Sequence, residues 1–144
     1  MTPPPALLLD TCAIIWLFNG DKLTRQAERA IVDAGLAGGI LISPVSGWEI
    51  GMLSRPRAGR ANPLVFLPDP KTWFRRATAR PGVRLAPFCS DIAVDAAFLP
   101  EPLHVDAADR LLIATARHLG ATIATRDARI LAYGEAGHVS VLAC

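Results

Sequence analysis

The sequence predicts an α/β domain built on a central, mainly parallel sheet flanked by helices, and three observations carry that expectation. Short apolar runs alternate with segments of helical periodicity along the chain. The runs are continuously apolar, as in strands buried on both faces. The 144 residues, 51% hydrophobic and 19% charged, suit one domain spanning 1–144, and no repeat or low-complexity tract competes.

Leu7-Leu8-Leu9 reads as the first buried strand, and Thr11 to Phe18 as a helix or helical turn ended by Asn19-Gly20-Asp21. Thr24 to Leu36 is amphipathic, with Ala27, Ala30, Ile31 and Ala34 on one face. Gly38-Gly39 stops it, and Ile40-Leu41-Ile42 forms a second strand. Ser43-Pro44-Val45-Ser46 leads into a helix carrying Trp48, Ile50, Met52 and Leu53. Ser54 to Pro70, rich in proline, is the longest irregular stretch and is expected to move or to face a partner. Lys71 to Ala79 and Asp91 to Leu99 read as helices around a short strand at Val83-Arg84-Leu85. Asp106 to Leu119 is the clearest helix, with Gly120 as its stop. Thr122 to Thr125 reads as a strand, Asp127 to Ala132 as a short helix, and Val139 to Leu142 as the last strand.

Four acids stand at helix beginnings: Asp10, Glu49, Asp109 and Asp127. In an open parallel sheet the helices begin beyond the carboxyl ends of the strands, where ligands bind. Acids distant in sequence therefore have one place to meet. Each also has a structural alternative. Ser46-Gly47-Trp48-Glu49 has the form of a capping box, and Asp10, Asp106 and Asp127 suit helix N-caps. Joint convergence weighs against capping alone. Two carboxylates about 4 Å apart repel by roughly 4 kcal/mol at an effective dielectric near 20. A divalent cation offsets several such repulsions, and hard oxygen donors suit Mg²⁺ or Mn²⁺ better than zinc.

A net charge of +2 says little, but its distribution says more. Eight basic residues (Arg55, Arg57, Arg60, Lys71, Arg75, Arg76, Arg80 and Arg84) face a single acid, Asp69, between 55 and 84, whereas 85–109 holds five acids and no Lys or Arg. Such a stretch either grips phosphates or forms a solvated face. Cys12, Cys89 and Cys144 are odd in number and lack metal-ligand spacing, so neither a disulfide scaffold nor a zinc site is expected. No run reaches the roughly 18 to 20 apolar residues of a membrane span, and the amino terminus lacks a signal pattern. A cytoplasmic, membrane-free setting is the expectation.

Four segments together resemble the PIN-domain ribonucleases, in particular the VapC-like toxins of bacterial toxin-antitoxin pairs. Leu7-Leu8-Leu9-Asp10-Thr11 is similar to their opening strand and Ser46-Gly47-Trp48-Glu49-Ile50 to their second acidic motif. The stretch from Asp106 through Asp109-Arg110 to Ala114 is similar to the third, and Thr125-Arg126-Asp127 to the last. The segments follow in order over nearly the whole chain. The resemblance implies a PIN-like fold, a homodimer, Mg²⁺ or Mn²⁺ dependence, RNA cleavage and inhibition by a VapB-like antitoxin. It implies that Asp10, Glu49, Asp109 and Asp127 hold the metal and carry catalysis. It sets Thr11, Asp106, Arg110 and Thr125 beside them, with Arg110 orienting an acid or touching phosphate. Ala107 stands where the family often has proline, and Gly51-Met52-Leu53 lacks a lysine common after the second acid, which leaves the phosphate contact to Arg55, Arg57 or Arg60. Arg75 and Arg76 are further candidates for holding RNA.

His104 is expected to be structural or superficial, and Trp73, Phe74 and Phe66 to pack in the core rather than stack on bases. Trp48 is expected to fix its helix against the core. Three other classes fit these residues less well. A haloacid-dehalogenase-like phosphatase needs a second acid where Cys12 stands, a phospho-receiver needs an acidic pair and a late lysine, and a non-catalytic RNA-binding module would not require the acids.

Overall fold

The apolar runs become β1 (Leu7–Leu9), β2 (Ile40–Ile42), β3 (Val83–Leu85), β4 (Thr122–Thr125) and β5 (Ser140–Ala143). The helices are α1 (Thr11–Asn19), α2 (Arg25–Leu36), α3 (Pro44–Leu53), α4 (Pro70–Thr78), α5 (Ser90–Ala97), α6 (Ala107–Leu119) and α7 (Ala128–Glu135). They come from a computed structural model that describes residues 4–56 and 62–144. All five strands are parallel, in the order β3-β2-β1-β4-β5. The sheet is thus parallel throughout, as the continuous apolar runs imply.

Alternation along the strands divides the core between two faces. Leu8, Leu41 and Ile123 point into one cluster with Ile92, Leu112 and Ile113 from α5 and α6. Leu7, Leu9, Ile40 and Ile42 point into the other, with Ile14, Ala27 and Ile31 from α1 and α2. Helices therefore cover both faces, and the order reverses between β1 and β4. That switch point creates a crevice at the carboxyl ends of the strands.

Short polar side chains start most of the helices. Asp10, Thr24, Ser43, Asp69, Asp106 and Asp127 each accept a hydrogen bond from a backbone N–H in the first turn that follows. Gly20 and Gly120 end α1 and α6 at φ 77° and 63°. The capping-box reading of Ser46 and Glu49 is corrected. Pro44, with its fixed φ and missing N–H, occupies the first position of α3, so Ser43 is the cap. Ser46 is buried inside the helix.

Phe66 is buried edge-on against Trp73, with ring centroids 5.0 Å apart, and Trp73 in turn meets Phe18. Phe74 packs over Gly47, where an added Cβ would lie 3.1 Å from the ring. The expected core role of these aromatics agrees with the packing. Trp48 differs: it is 62% exposed, because its position on α3 looks away from both clusters. In the irregular stretch, Leu64 is tied to α3 by a backbone hydrogen bond to Leu53 of 2.9 Å.

Candidate active site

The site begins at the switch point. Asp10 follows β1 and caps α1, so one carboxylate oxygen accepts from the Ala13 N–H at 2.8 Å. Its other oxygen accepts from the Thr125 hydroxyl at 2.5 Å, which bridges the crevice from the end of β4. The same Thr125 oxygen accepts from the Asp127 N–H at 3.0 Å. Thr125 therefore fixes two of the acids, and both it and Asp10 are buried. Asp127 caps α7 through Arg129 N–H at 2.8 Å and Ile130 N–H at 3.3 Å.

Glu49 reaches the same recess from the middle of α3. It accepts from the Thr11 hydroxyl, which also lies 2.9 Å from the buried Ser46 hydroxyl. Asp109 enters from the first turn of α6, with its N–H donating to Asp106 at 3.0 Å. Its carboxylate lies 2.7 Å from His104 Nε2. Asp10, Glu49, Asp109 and Asp127 thus line one recess of about 290 Å³, together with Thr11 and Arg126. Capping and convergence coexist in Asp10 and Asp127, because each caps its helix with one oxygen while the other is held by a side chain at the recess, Thr125 or Arg129.

The electrostatics divide the quartet. Burial pushes Asp10 above the ordinary carboxylate range, Thr125 and Ala13 pull it back, and the charges of Asp109 and Asp127 push it up further. Glu49 is raised by burial and neighbouring acids against the pull of Thr11. Asp109 is raised by burial against the pull of His104. Asp127 is held below the usual range, first by its hydrogen bonds from Arg129.

Among the described residues, no three His, Cys, Asp or Glu side chains converge at the spacing that holds a metal ion. Each acid is engaged instead by its own donor, namely Thr125, Thr11, His104 or Arg129. The chemistry of the donors nevertheless fits a hard divalent cation. They are carboxylate oxygens from four elements, three of them destabilised as anions by burial, and the donor on Asp127 is a half-exposed side chain able to turn away.

Other expected residues lie elsewhere. Arg110 touches no acid of the recess. It donates to the carbonyls of Ala96, Ala97, Leu103 and His104 and pairs with Glu101 at 3.3 Å, so it clamps the segment carrying His104. Arg110 thus supports the backbone beside the recess and orients none of its four acids. Asp106 caps α6 and lines an adjoining groove with Trp48 and Met52. Arg55 contacts Met52 at the surface, and Arg57 and Arg60 lie outside the described residues. Arg75 and Arg76 are exposed on α4 and do not line the recess.

One residue at the site escapes sequence reasoning, and the contact of another is not legible there. His104, for which the sequence favours a structural or surface role, sits in a loop without periodicity, five residues before the acid it binds. Arg129 follows Asp127 by two, and only the bend from cap to helix folds its guanidinium back onto that acid.

The chain matches the family model described as PIN domain over residues 7–136. No curated protein matches it. Solved structures do. One is FitAB bound to an IR36 DNA fragment, at 21% identity and TM-score 0.57, covering 95% of this chain and 94% of that one. FitAcB from Neisseria gonorrhoeae is 21% identical with TM-score 0.59, over 94% of this chain and 96% of that one. VapBC2 from Rickettsia felis, bound to a DNA fragment from its promoter, is 12% identical with TM-score 0.60, over 96% and 98%. At these identities the likeness is one of fold.

Proposed function

Because this chain belongs to the PIN-domain family, we propose that it is a metal-dependent endoribonuclease and a VapC-like toxin neutralised by a VapB-like antitoxin. Its substrate is structured RNA such as tRNA or rRNA in the cytoplasm. The observation that carries the reading is the meeting of Asp10, Glu49, Asp109 and Asp127 in one recess at the switch point. None of the described helices is long and apolar enough to cross a membrane.

The four acids are the residues that would hold Mg²⁺ or Mn²⁺. When bound, such an ion polarises a phosphoryl oxygen and makes water a better nucleophile. The protein's own groups do the positioning. Thr125 fixes Asp10 and the backbone of Asp127, Thr11 holds Glu49, and His104 holds Asp109. The amino termini of α1 and α7 present partial positive charge to their capping acids and favour the ionised form that a cation needs. Attack by water in line with the leaving 3′ oxygen gives a 5′-phosphate and a 3′-hydroxyl. No side-chain nucleophile is required.

Arg75 and Arg76 project from α4 without an ion-pair partner among the described residues and supply charge for the RNA backbone. Exposed Val94, Phe98 and Val105 on and after α5, and Trp48 on α3, form apolar surface suited to protein partners. A second copy of the chain and the antitoxin are the partners assigned to it.

The test is to incubate purified, antitoxin-free protein with total cellular RNA and Mg²⁺, Mn²⁺ or EDTA. Discrete cuts that require metal and disappear in Asp10→Asn are the expected result. Absence of cutting with either metal contradicts the reading.

A further inference from the structure

Two cations border the acidic recess, and they are engaged differently. Arg126 stacks its guanidinium 3.9 Å from the centroid of the Trp16 ring and donates to the Lys22 carbonyl at 2.8 Å. Among the described residues it pairs with no carboxylate. Arg129 instead turns its fork onto the acids. Its Nε lies 3.3 Å from one oxygen of Asp127 and its Nη2 3.1 Å from the other, while the same Nη2 lies 3.7 Å from Asp109 Oδ2. One guanidinium thus bridges carboxylates presented by α6 and α7.

Resting on the metal-dependent reading above, we propose that Arg129 is a built-in counter-cation that competes with the divalent metal for Asp127 and Asp109. A guanidinium is permanently charged and matches a carboxylate two-pronged, which makes it an effective placeholder. Its side chain is 58% exposed, so turning outward meets no packing barrier. A metal held by Asp127 and Asp109 would need oxygens that the bridge occupies. Its loading would then require Arg129 to swing away, and the apparent affinity would be lowered by the fraction of molecules in which the fork is engaged. An exposed two-pronged pair of ordinary strength keeps that fraction near four-fifths, which corresponds to about a fivefold weakening.

The experiment is calorimetric titration of Mn²⁺ into the metal-stripped full chain, comparing wild type with Arg129→Ala, Arg129→Gln and Arg126→Ala. Arg129→Gln keeps most of the aliphatic stem and guards against a packing artefact, and circular dichroism checks the fold of each variant. Arg126→Ala removes one positive charge from the same recess without freeing a carboxylate. The expected result is Mn²⁺ affinity tightened about fivefold by both Arg129 variants, with less than a twofold change for Arg126→Ala. Unchanged or weaker affinity in the Arg129 variants overturns the competition. Equal tightening in Arg126→Ala also overturns it and assigns the effect to general charge. If wild type binds Mn²⁺ and Asp10→Asn does not, the metal reading survives such a failure. If no variant binds Mn²⁺, the metal reading and this inference fall together.

Discussion

Asp10 carries its charge at a cost to folding. It is 8% exposed, and burial with two neighbouring acids raises its proton affinity above that of the unfolded chain. A carboxylate raised in this way favours the folded state most below its unfolded value, and that contribution is lost as pH rises through the higher folded value. Asp127, lowered mainly by Arg129, has the opposite sign: its contribution is present at neutral pH and is lost as pH falls through its folded value. Asp10→Asn keeps the shape and an N-cap acceptor while removing the buried charge. It is expected to abolish metal-dependent cleavage and to stabilise the metal-free protein at pH 7 by about 1 kcal/mol, read from thermal melts in EDTA. A melting temperature that falls by several degrees would return Asp10 to a purely structural role. His104 gives the complementary case. With Nε2 2.7 Å from Asp109 and its own carbonyl held by Arg110, it orients an acid without lining the recess. His104→Ala is expected to lower cleavage about 10- to 100-fold while circular dichroism stays native. Undiminished cleavage would make the contact incidental.

The elements place the acids through a parallel sheet whose order reverses between β1 and β4, so two strand ends and their helices face one crevice. Most of this was legible in the sequence, for a physical reason. Leu7–Leu9 and Ile40–Ile42 are buried on both sides and so carry an unbroken apolar signal, while α6 shows both a polar cap and a glycine stop. What escaped depends on contacts between elements. Ser46 looks like a cap until Pro44 moves the helix start, and Trp48 reads as core until the rotation of α3 is known. Register between strand order and turn conformation is equally silent in the sequence. Gly82 enters β3 at φ +82°, and a Cβ there would lie 2.4 Å from the Gly35 carbonyl oxygen. Gly82→Ala is expected to destabilise by about 2–3 kcal/mol in urea denaturation, since both the backbone conformation and the close approach oppose a side chain. A loss under 0.5 kcal/mol would mean that the edge strand shifts freely.

At the scale of the whole molecule, a net charge of +2 conceals opposed surfaces. The acids gather at the switch point, while Arg75 and Arg76 stand exposed on α4, which packs beside α3 and β3. An anionic polymer is repelled by the first surface and drawn by the second, so the affinity for RNA proposed above is expected to fall with salt in proportion to the phosphates neutralised. Replacing Arg75 and Arg76 with alanine is expected to weaken RNA binding and to lower the slope of log affinity against log salt by about 1–2. An unchanged slope would leave these residues as solvated surface. If four carboxylates from four elements act together on water and a phosphodiester, the chemistry of the cut ends records it. RNA treated with the metal-loaded protein should carry 5′-phosphate and 3′-hydroxyl termini, and EDTA should stop their formation. Termini bearing 2′,3′-cyclic phosphate, formed equally well in EDTA, would show that the RNA's own 2′-hydroxyl attacks and that the four acids hold no catalytic metal.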